Sequence, residues 1–279
     1  MLRYQRKQNL IFGGNKMIEN KNIVLTGCNS GIGLEVLRLL VQGNNRVLAV
    51  DKNIDRLGGF DKEKVIPMQI DVSSKEAVDE IFETALEKLG SIDIFYANAG
   101  YPYYEEVNYA DWDRVAAMFE TNVFSPIYSY QKYVRYLDGK PGIFAITISA
   151  IGKMAMPGFT IYSASKFAMQ GFQEGIRLEK PANVQLTCLY PVATDTGFFK
   201  AANEIEFKKP FPVQQPTVVA KKMVEGIEKG KNTVSPCGLF GFAEQLMKFA
   251  PFVRNVYWAL EKRKFNEFKE NVKRLSANK

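Results

Sequence analysis

Residues 22–51 read NIVLTGCNSGIGLEVLRLLVQGNNRVLAVD. NIVL is a short apolar run with the character of a buried strand. It enters Thr26-Gly-Cys-Asn-Ser-Gly-Ile-Gly33, a glycine-rich turn, and then LEVLRLLVQG, whose apolar residues recur at helical spacing. RVLAV, at 46–50, is a second strand and ends on Asp51. Strand, turn, helix and strand in this order are one wind of an open α/β sheet.

The glycine turn has a chemical reading. Glycines let the backbone approach a pyrophosphate, and the following helix offers free N–H groups and the positive end of its dipole. Gly27, Asn29, Ser30, Gly31, Ile32 and Gly33 are therefore candidate cofactor contacts. Asp51 stands about 20 positions after the turn, where a carboxylate accepts hydrogen bonds from adenosine ribose hydroxyls and repels a 2′-phosphate. Lys52 beside it is a counter-signal, because a lysine there meets a phosphate.

The alternation continues downstream. A third strand, 65–70, is followed by Asp71-Val72 and a helix that Ser73 or Ser74 caps. The fourth strand, IDIFYA at 92–97, leads into Asn98-Ala99-Gly100 and then Tyr101-Pro-Tyr-Tyr104, tyrosines that either line a pocket or sit on a surface loop. Residues 111–137 carry a long helical pattern containing Asn122, with Pro126 placed to break its hydrogen bonding. GIFAITIS is a buried strand ending at Ser149. TIYSASKFAMQGFQEGIRLE is a helix, and it sets Tyr162 and Lys166 four apart on one face. An ammonium beside a phenol lowers the phenol's pKa, as a tyrosine acting as acid or base near neutral pH requires. A sixth strand, 184–190, precedes Pro191-Val-Ala-Thr-Asp-Thr196. Residues 197–216 hold Phe198, Phe199, Phe207 and Phe211 and read as a lid over an apolar ligand. A helix opened by Pro216 and a last strand at 232–235 complete the core.

Together these motifs resemble the short-chain dehydrogenase/reductase family, over roughly residues 20–235. The resemblance implies a doubly wound sheet of about seven parallel strands with helices on both faces. It also implies an oxidoreductase that interconverts an alcohol and a carbonyl. Tyr162 would move the proton, Ser149 would bond the same oxygen, and Lys166 would tune Tyr162 and hold the nicotinamide ribose. Asn122 would complete the tetrad through its backbone carbonyl. Asp71 and Val72 would border the adenine, and Asn98, Ala99 and Gly100 would border the cofactor. Pro191, Thr194 and Thr196 would bind the carboxamide and pyrophosphate. Val192 stands where the family has glycine, which puts the turn geometry there in question. Asp51 and Ser30 favour NAD over NADP. The alternative is an inactive, cofactor-binding member that serves as a sensor or as a scaffold at a membrane surface.

Composition bounds the rest. The chain has 279 residues, no histidine and three scattered cysteines. Histidine catalysis and histidine metal ligands are excluded, and no metal is expected. Sparse thiols suggest a cytoplasmic protein. Of the net charge of +7, +4 lies in residues 1–16 and +4 in residues 261–279, leaving −1 for the middle. The basic character thus belongs to the ends, and no nucleic-acid partner is expected. Residues 1–16 read as a translated leader before a start at Met17, with one domain over 17–236. Residues 237–279 form a helical extension, apolar first and then amphipathic and basic. It would pack on the core as a lid, meet a second subunit of a homodimer or homotetramer, or lie peripherally at the inner membrane surface.

Overall fold

The computed structural model describes residues 18–108, 111–203 and 205–277. The expected leader, 1–16, lies outside the described residues. Seven strands form one parallel sheet: β1 (Asn22–Thr26), β2 (Arg46–Asp51), β3 (Val65–Gln69), β4 (Ile94–Ala97), β5 (Gly142–Thr147), β6 (Val184–Leu189) and β9 (Thr233–Val234). Their order is β3-β2-β1-β4-β5-β6-β9. The direction of winding reverses between β1 and β4, so a crevice opens beyond the carboxyl ends of these strands.

The helices cover both faces, and the strands show why. Successive strand residues point to opposite faces. Val24 packs with Phe95, Phe144 and the helices α2 (Lys75–Leu89), α4 (Ser125–Leu137) and α5 (Thr160–Glu179). Its neighbours Ile23 and Leu25 pack instead with α1 (Gly31–Leu40) and α7 (Pro216–Glu228). Ser74 caps α2, its Oγ accepting from the Ala77 N–H at 3.1 Å. Of the two serines weighed for that cap, the second takes it.

The pattern over 111–137 is two helices joined by one wide turn. α3 (Trp112–Phe119) runs into a π-helical turn at Glu120–Phe124 and then into α4. Pro126 lacks the N–H that a regular helix would direct at the carbonyl of Asn122, and the helix widens there rather than breaking. A small second sheet pairs β7 (Ala193–Thr194) with β8 (Val213–Gln214) and frames a short helix, α6 (Phe198–Ala202). The chain ends in α8 (Gly238–Phe249) and α9 (Pro251–Ala277). No helix among the described residues is long and apolar enough to cross a membrane.

Candidate active site

A cavity of about 540 Å³ opens at the strand ends, where Asp51, Asp71, Asn98, Ser149 and Pro191 all reach its wall. Each follows or ends a different strand, so the sheet itself brings together residues far apart in sequence.

The glycine turn forms one wall, and two glycines are required by contact. A Cβ on Gly33 would lie 2.0 Å from the Gly27 carbonyl oxygen. Gly27 has φ +68°, and a Cβ there would lie 2.8 Å from the Ala99 Cα. Asn98 braces this turn: its Nδ2 donates to the carbonyls of Thr26 and Gly27 at 3.1 and 3.0 Å, and its Oδ1 accepts from Thr147 Oγ1 at 2.9 Å. The Asn98 side chain is thus spent on joining three strand ends. Ser30 begins α1 without a side-chain cap, and the first turn carries no acid. The helix therefore presents uncapped N–H groups to the cavity. Asp51 accepts from the Asn29 and Asn53 backbone N–H groups, at 2.9 and 3.1 Å.

Tyr162 and Lys166 project from the first two turns of α5 and are both buried. Tyr162 is hydrogen-bonded to Ser149. Ser149 is held on each side, by the Ile148 N–H on the Leu189 carbonyl and the Ala150 N–H on the Pro191 carbonyl, both at 2.9 Å. It is itself forced to φ 152°, a region L-residues rarely occupy and one that recurs at functional sites. Lys166 Nζ donates to the Thr147 carbonyl at 3.3 Å and lies 5.6 Å from the centre of the Tyr162 ring.

Asn122, in the wide turn, donates from Nδ2 to the Tyr101 carbonyl and to Ser165 Oγ, at 2.9 and 3.2 Å. Its Oδ1 accepts from the Tyr101 N–H at 3.0 Å. It ties the loop after β4 to α5 from behind the cavity wall. Asn29 and Gly33 also stand behind the wall. Asn29 donates to Asp55 Oδ1 at 2.6 Å and accepts from the Arg56 N–H at 3.0 Å, so its side chain holds the turn and does not face the cavity. Every other candidate catalytic or cofactor-contact residue singled out in the sequence lines it.

Protonation differs from the sequence expectation. Burial raises the Tyr162 pKa above the ordinary phenol value, and the Ser149 hydrogen bond offsets only part of this. Burial also pushes the Lys166 ammonium down to about 8. The spacing of four puts the two groups on one face, but desolvation governs both.

The other half of the cavity is apolar. Met154, Met156 and Phe159 line it beside Ser149, Tyr162 and Lys166, with Phe198, Phe199 and Phe211 from residues 197–216. Phe207 instead stacks on Tyr104, ring centres 3.9 Å apart. Of the tyrosines 101, 103 and 104, only Tyr101 lines the cavity; Tyr104 is buried, and Tyr103 lies under the Arg114 guanidinium at 3.4 Å. Val192 does not spoil its turn: its carbonyl accepts from Thr194 Oγ1 at 3.0 Å, and the chain enters β7 directly. The sequence reading missed Thr147, which serves both Lys166 and Asn98. Its position at the end of β5, two residues before Ser149, was the available signal. Of the readings offered for the extension, packing on the core accounts for the wall that α8 and α9 supply, through Leu239, Phe240, Ala243, Met247, Val253 and Tyr257, which the sequence did not single out.

The family model "short chain dehydrogenase" matches residues 21–206, more than half of the chain. A 3-dehydrosphinganine reductase of Danio rerio is 27% identical over 78% of this chain and 71% of its own length. An uncharacterized oxidoreductase of Bacillus subtilis is 30% identical over 70% of this chain and 58% of its own. Among solved structures, a Burkholderia phymatum short chain dehydrogenase/reductase in complex with NAD superposes with a TM-score of 0.74, at 19% identity, over 86% of this chain and 96% of that one. An alcohol dehydrogenase of Thermococcus sibiricus complexed with 5-hydroxy-NADP gives 0.69 at 23% identity, over 78% and 96%. The family match, with a sheet wound as in those structures, makes this chain a member of the short-chain dehydrogenase/reductase family of oxidoreductases.

Proposed function

We propose that the protein reduces the carbonyl of a lipophilic substrate to an alcohol, using a nicotinamide dinucleotide and preferring NAD. The observation that carries the reading is the Ser149–Tyr162–Lys166 group set between the glycine turn and an apolar chamber of one cavity.

The residues present fit a dinucleotide. The glycine turn leaves backbone where side chains would intrude, and α1 points uncapped N–H groups at the space. Gly27, Ser30, Gly31, Ile32, Asn98, Ala99 and Gly100 would hold it, with Asp71 and Val72 at the adenine. Pro191, Thr194 and Thr196 would meet the nicotinamide end and the pyrophosphate. Asp51 ends β2 on the cavity wall, where a carboxylate suits ribose hydroxyls and opposes a 2′-phosphate. When bound, the nicotinamide supplies the hydride.

The chain's own residues do the rest. The Ser149 hydroxyl orients the carbonyl oxygen. Tyr162, kept protonated by burial, gives that oxygen its proton as the carbon–hydrogen bond forms. The Lys166 ammonium then faces the phenolate across the buried pair and stabilises it. Asn122 keeps α5 in register with the loop after β4.

The keto group is supported by relatives named as reductases of 3-dehydrosphinganine and 3-ketodihydrosphingosine. The apolar character is supported by the chamber. Among described lining residues the carboxylates are Asp51 and Asp71, both on the dinucleotide side. Methionines 154, 156 and 247 give the chamber adaptable walls suited to an aliphatic chain. Such substrates reside in membranes, which favours work at a membrane surface. The test is a panel of long-chain ketones with NADH and with NADPH, followed by loss of nicotinamide absorbance. Nucleotide binding without turnover of any ketone would replace this reading by an inactive binding module.

A further inference from the structure

The two C-terminal helices are apolar on two sides. α8 sends Phe240, Ala243 and Met247 into the cavity wall. It leaves Phe242, Leu246 and Phe249 exposed, Phe242 at 68% and Phe249 at 88%, and Leu239 is exposed at the cavity edge. Val253 and Tyr257 of α9 line the cavity, while Phe252, at 67%, Val256 and Leu260 are exposed. Phe211 of the lid, on the cavity rim, is exposed as well, and its carbonyl accepts from the Tyr257 hydroxyl at 2.7 Å. The acid of α8, Glu244, is drawn inward onto Lys153 at 2.8 Å. A helix that is apolar all round is normally covered. Scattered exposed apolar residues are ordinary on a soluble surface; a contiguous row marks an interaction site.

We infer that this ridge docks on a lipid bilayer containing anionic lipid, with the cavity opening toward the acyl chains. Two observations choose a bilayer over a second copy of the chain. First, the ridge is continuous with the apolar cavity lining, because neighbouring positions of the same helices serve both. A lipid-borne substrate would then enter without crossing water, whereas a second subunit on the ridge would cover the entrance. Secondly, the α9 surface turns basic where its apolar row ends. Exposed Lys262 and Arg263 follow Leu260, and residues 261–279 carry seven basic against three acidic side chains. Those acids already have partners: Glu261 binds Lys264, Glu267 binds Lys208 and Glu270 lies near Lys273. Apolar residues bordered by excess lysine and arginine match acyl chains beneath anionic headgroups. A two-fold pairing of this face would bring its like charges toward each other.

The inference rests on the lipophilic-substrate reading for its purpose, but its test needs no turnover. The full chain is sedimented with vesicles of phosphatidylcholine containing about one third phosphatidylserine, at low and high salt. The parent should bind, and salt should weaken it. F242D and F249D should each lower partitioning by about tenfold or more, given what burying a phenylalanine contributes. K262Q with R263Q should flatten the salt dependence. These variants should melt like the parent and turn over a short water-soluble ketone unchanged. The inactive Tyr162→Phe chain should still bind, which separates failure of docking from failure of the catalytic reading. A parent that stays in the supernatant at low salt overturns the proposal. So does vesicle binding by F249D equal to the parent's, or a parent dimer that F249D splits into monomers.

Discussion

Replacing Lys166 by methionine tests the electrostatics of the site without cofactor or substrate. The ammonium is buried, its described partner is the Thr147 carbonyl at 3.3 Å, and its pKa falls from 10.5 to about 8. Below pH 8 the group is charged in both the folded and the unfolded chain, and the folded chain bears the desolvation cost. Between 8 and 10.5 the unfolded chain holds the extra proton, so stability rises with pH. Above 10.5 both forms are neutral and the cost is gone. Each pKa unit is worth 1.36 kcal/mol, so the shift corresponds to roughly 3 kcal/mol. Methionine has similar length and no charge, but it forfeits the bond to Thr147, worth roughly 1 kcal/mol or more. At pH 7 the variant should therefore be more stable than the parent by roughly 2 kcal/mol. The advantage should disappear by about pH 10 and there reverse slightly.

Urea unfolding of the nucleotide-free parent and variant across pH 7–10 reads this difference directly. Cys28 and Cys188 are raised by burial and also make stability pH-dependent, in the opposite sense. They are present in both chains and cancel in the comparison. A difference that does not change with pH would refute the reasoning, since it would mean Lys166 titrates alike in the folded and unfolded chains.

Four further outcomes follow from the site. Tyr162→Phe keeps the ring and removes the proton, so turnover should fall by about 10²–10⁴-fold with nucleotide affinity little changed; near-normal turnover would remove Tyr162 from the chemistry. Asp51→Ser deletes an acceptor and a repulsive charge and should shift preference from NADH toward NADPH in paired kcat/KM measurements; a parent already preferring NADPH would make Lys52 the governing residue. Gly33→Ala presses a methyl against the Gly27 carbonyl, 2.0 Å away, and should cost about 3 kcal/mol or more, read as a lower melting temperature together with lost nucleotide binding in calorimetry. Tyr257→Phe frees the lid from α9 and should raise KM for a long-chain ketone several-fold while leaving kcat nearly unchanged; an unaltered KM would show that the lid closes without that bond.

Much of this was legible in the chain because it depends on local chemistry. Buried parallel strands read as apolar runs, and their alternation with helices points to a parallel, doubly wound sheet. That Asp51, Asp71, Asn98, Ser149 and Pro191 line one cavity was legible because strand ends are where an open α/β sheet gathers its chemistry. The Asn29 side chain was not legible, because sequence gives the backbone turn but not the side-chain direction; Asp55 and the Arg56 N–H engage it behind the cavity wall. Val192 was doubted because a missing glycine puts the turn in question, yet Val192 is not among the described residues with positive φ, so its backbone does not call for glycine. The role of 237–279 was not legible, since amphipathicity states that a helix has an apolar face and not what covers it. The fold resolves part of this. Phe265 and Phe268 pack around Tyr104, Trp258 Nε1 donates to the Ala155 carbonyl at 2.8 Å, and the basic helix is thereby fastened over the site.

The least legible feature was the sign of the Tyr162 shift. Helical spacing places Lys166 beside Tyr162 and argues for a lowered phenol pKa. An ammonium 5.6 Å from the ring centre favours the phenolate and works in that direction. Full burial of an ionisable group works against its charged form by up to about 3–5 units. Lys166 resists its own charge for the same reason, which weakens the help it gives. Burial therefore wins in the nucleotide-free site, and Tyr162 rests as a phenol at neutral pH. On the proposed reading, a resting phenol is a proton donor already loaded for an oxygen that becomes an alkoxide. Oxidation of the alcohol would first require the phenol to ionise, and its rate should climb with pH over a range in which reduction stays level. A flat pH profile for oxidation between pH 7 and 10 would show instead that Lys166 outweighs burial, and that the sequence had the sign right.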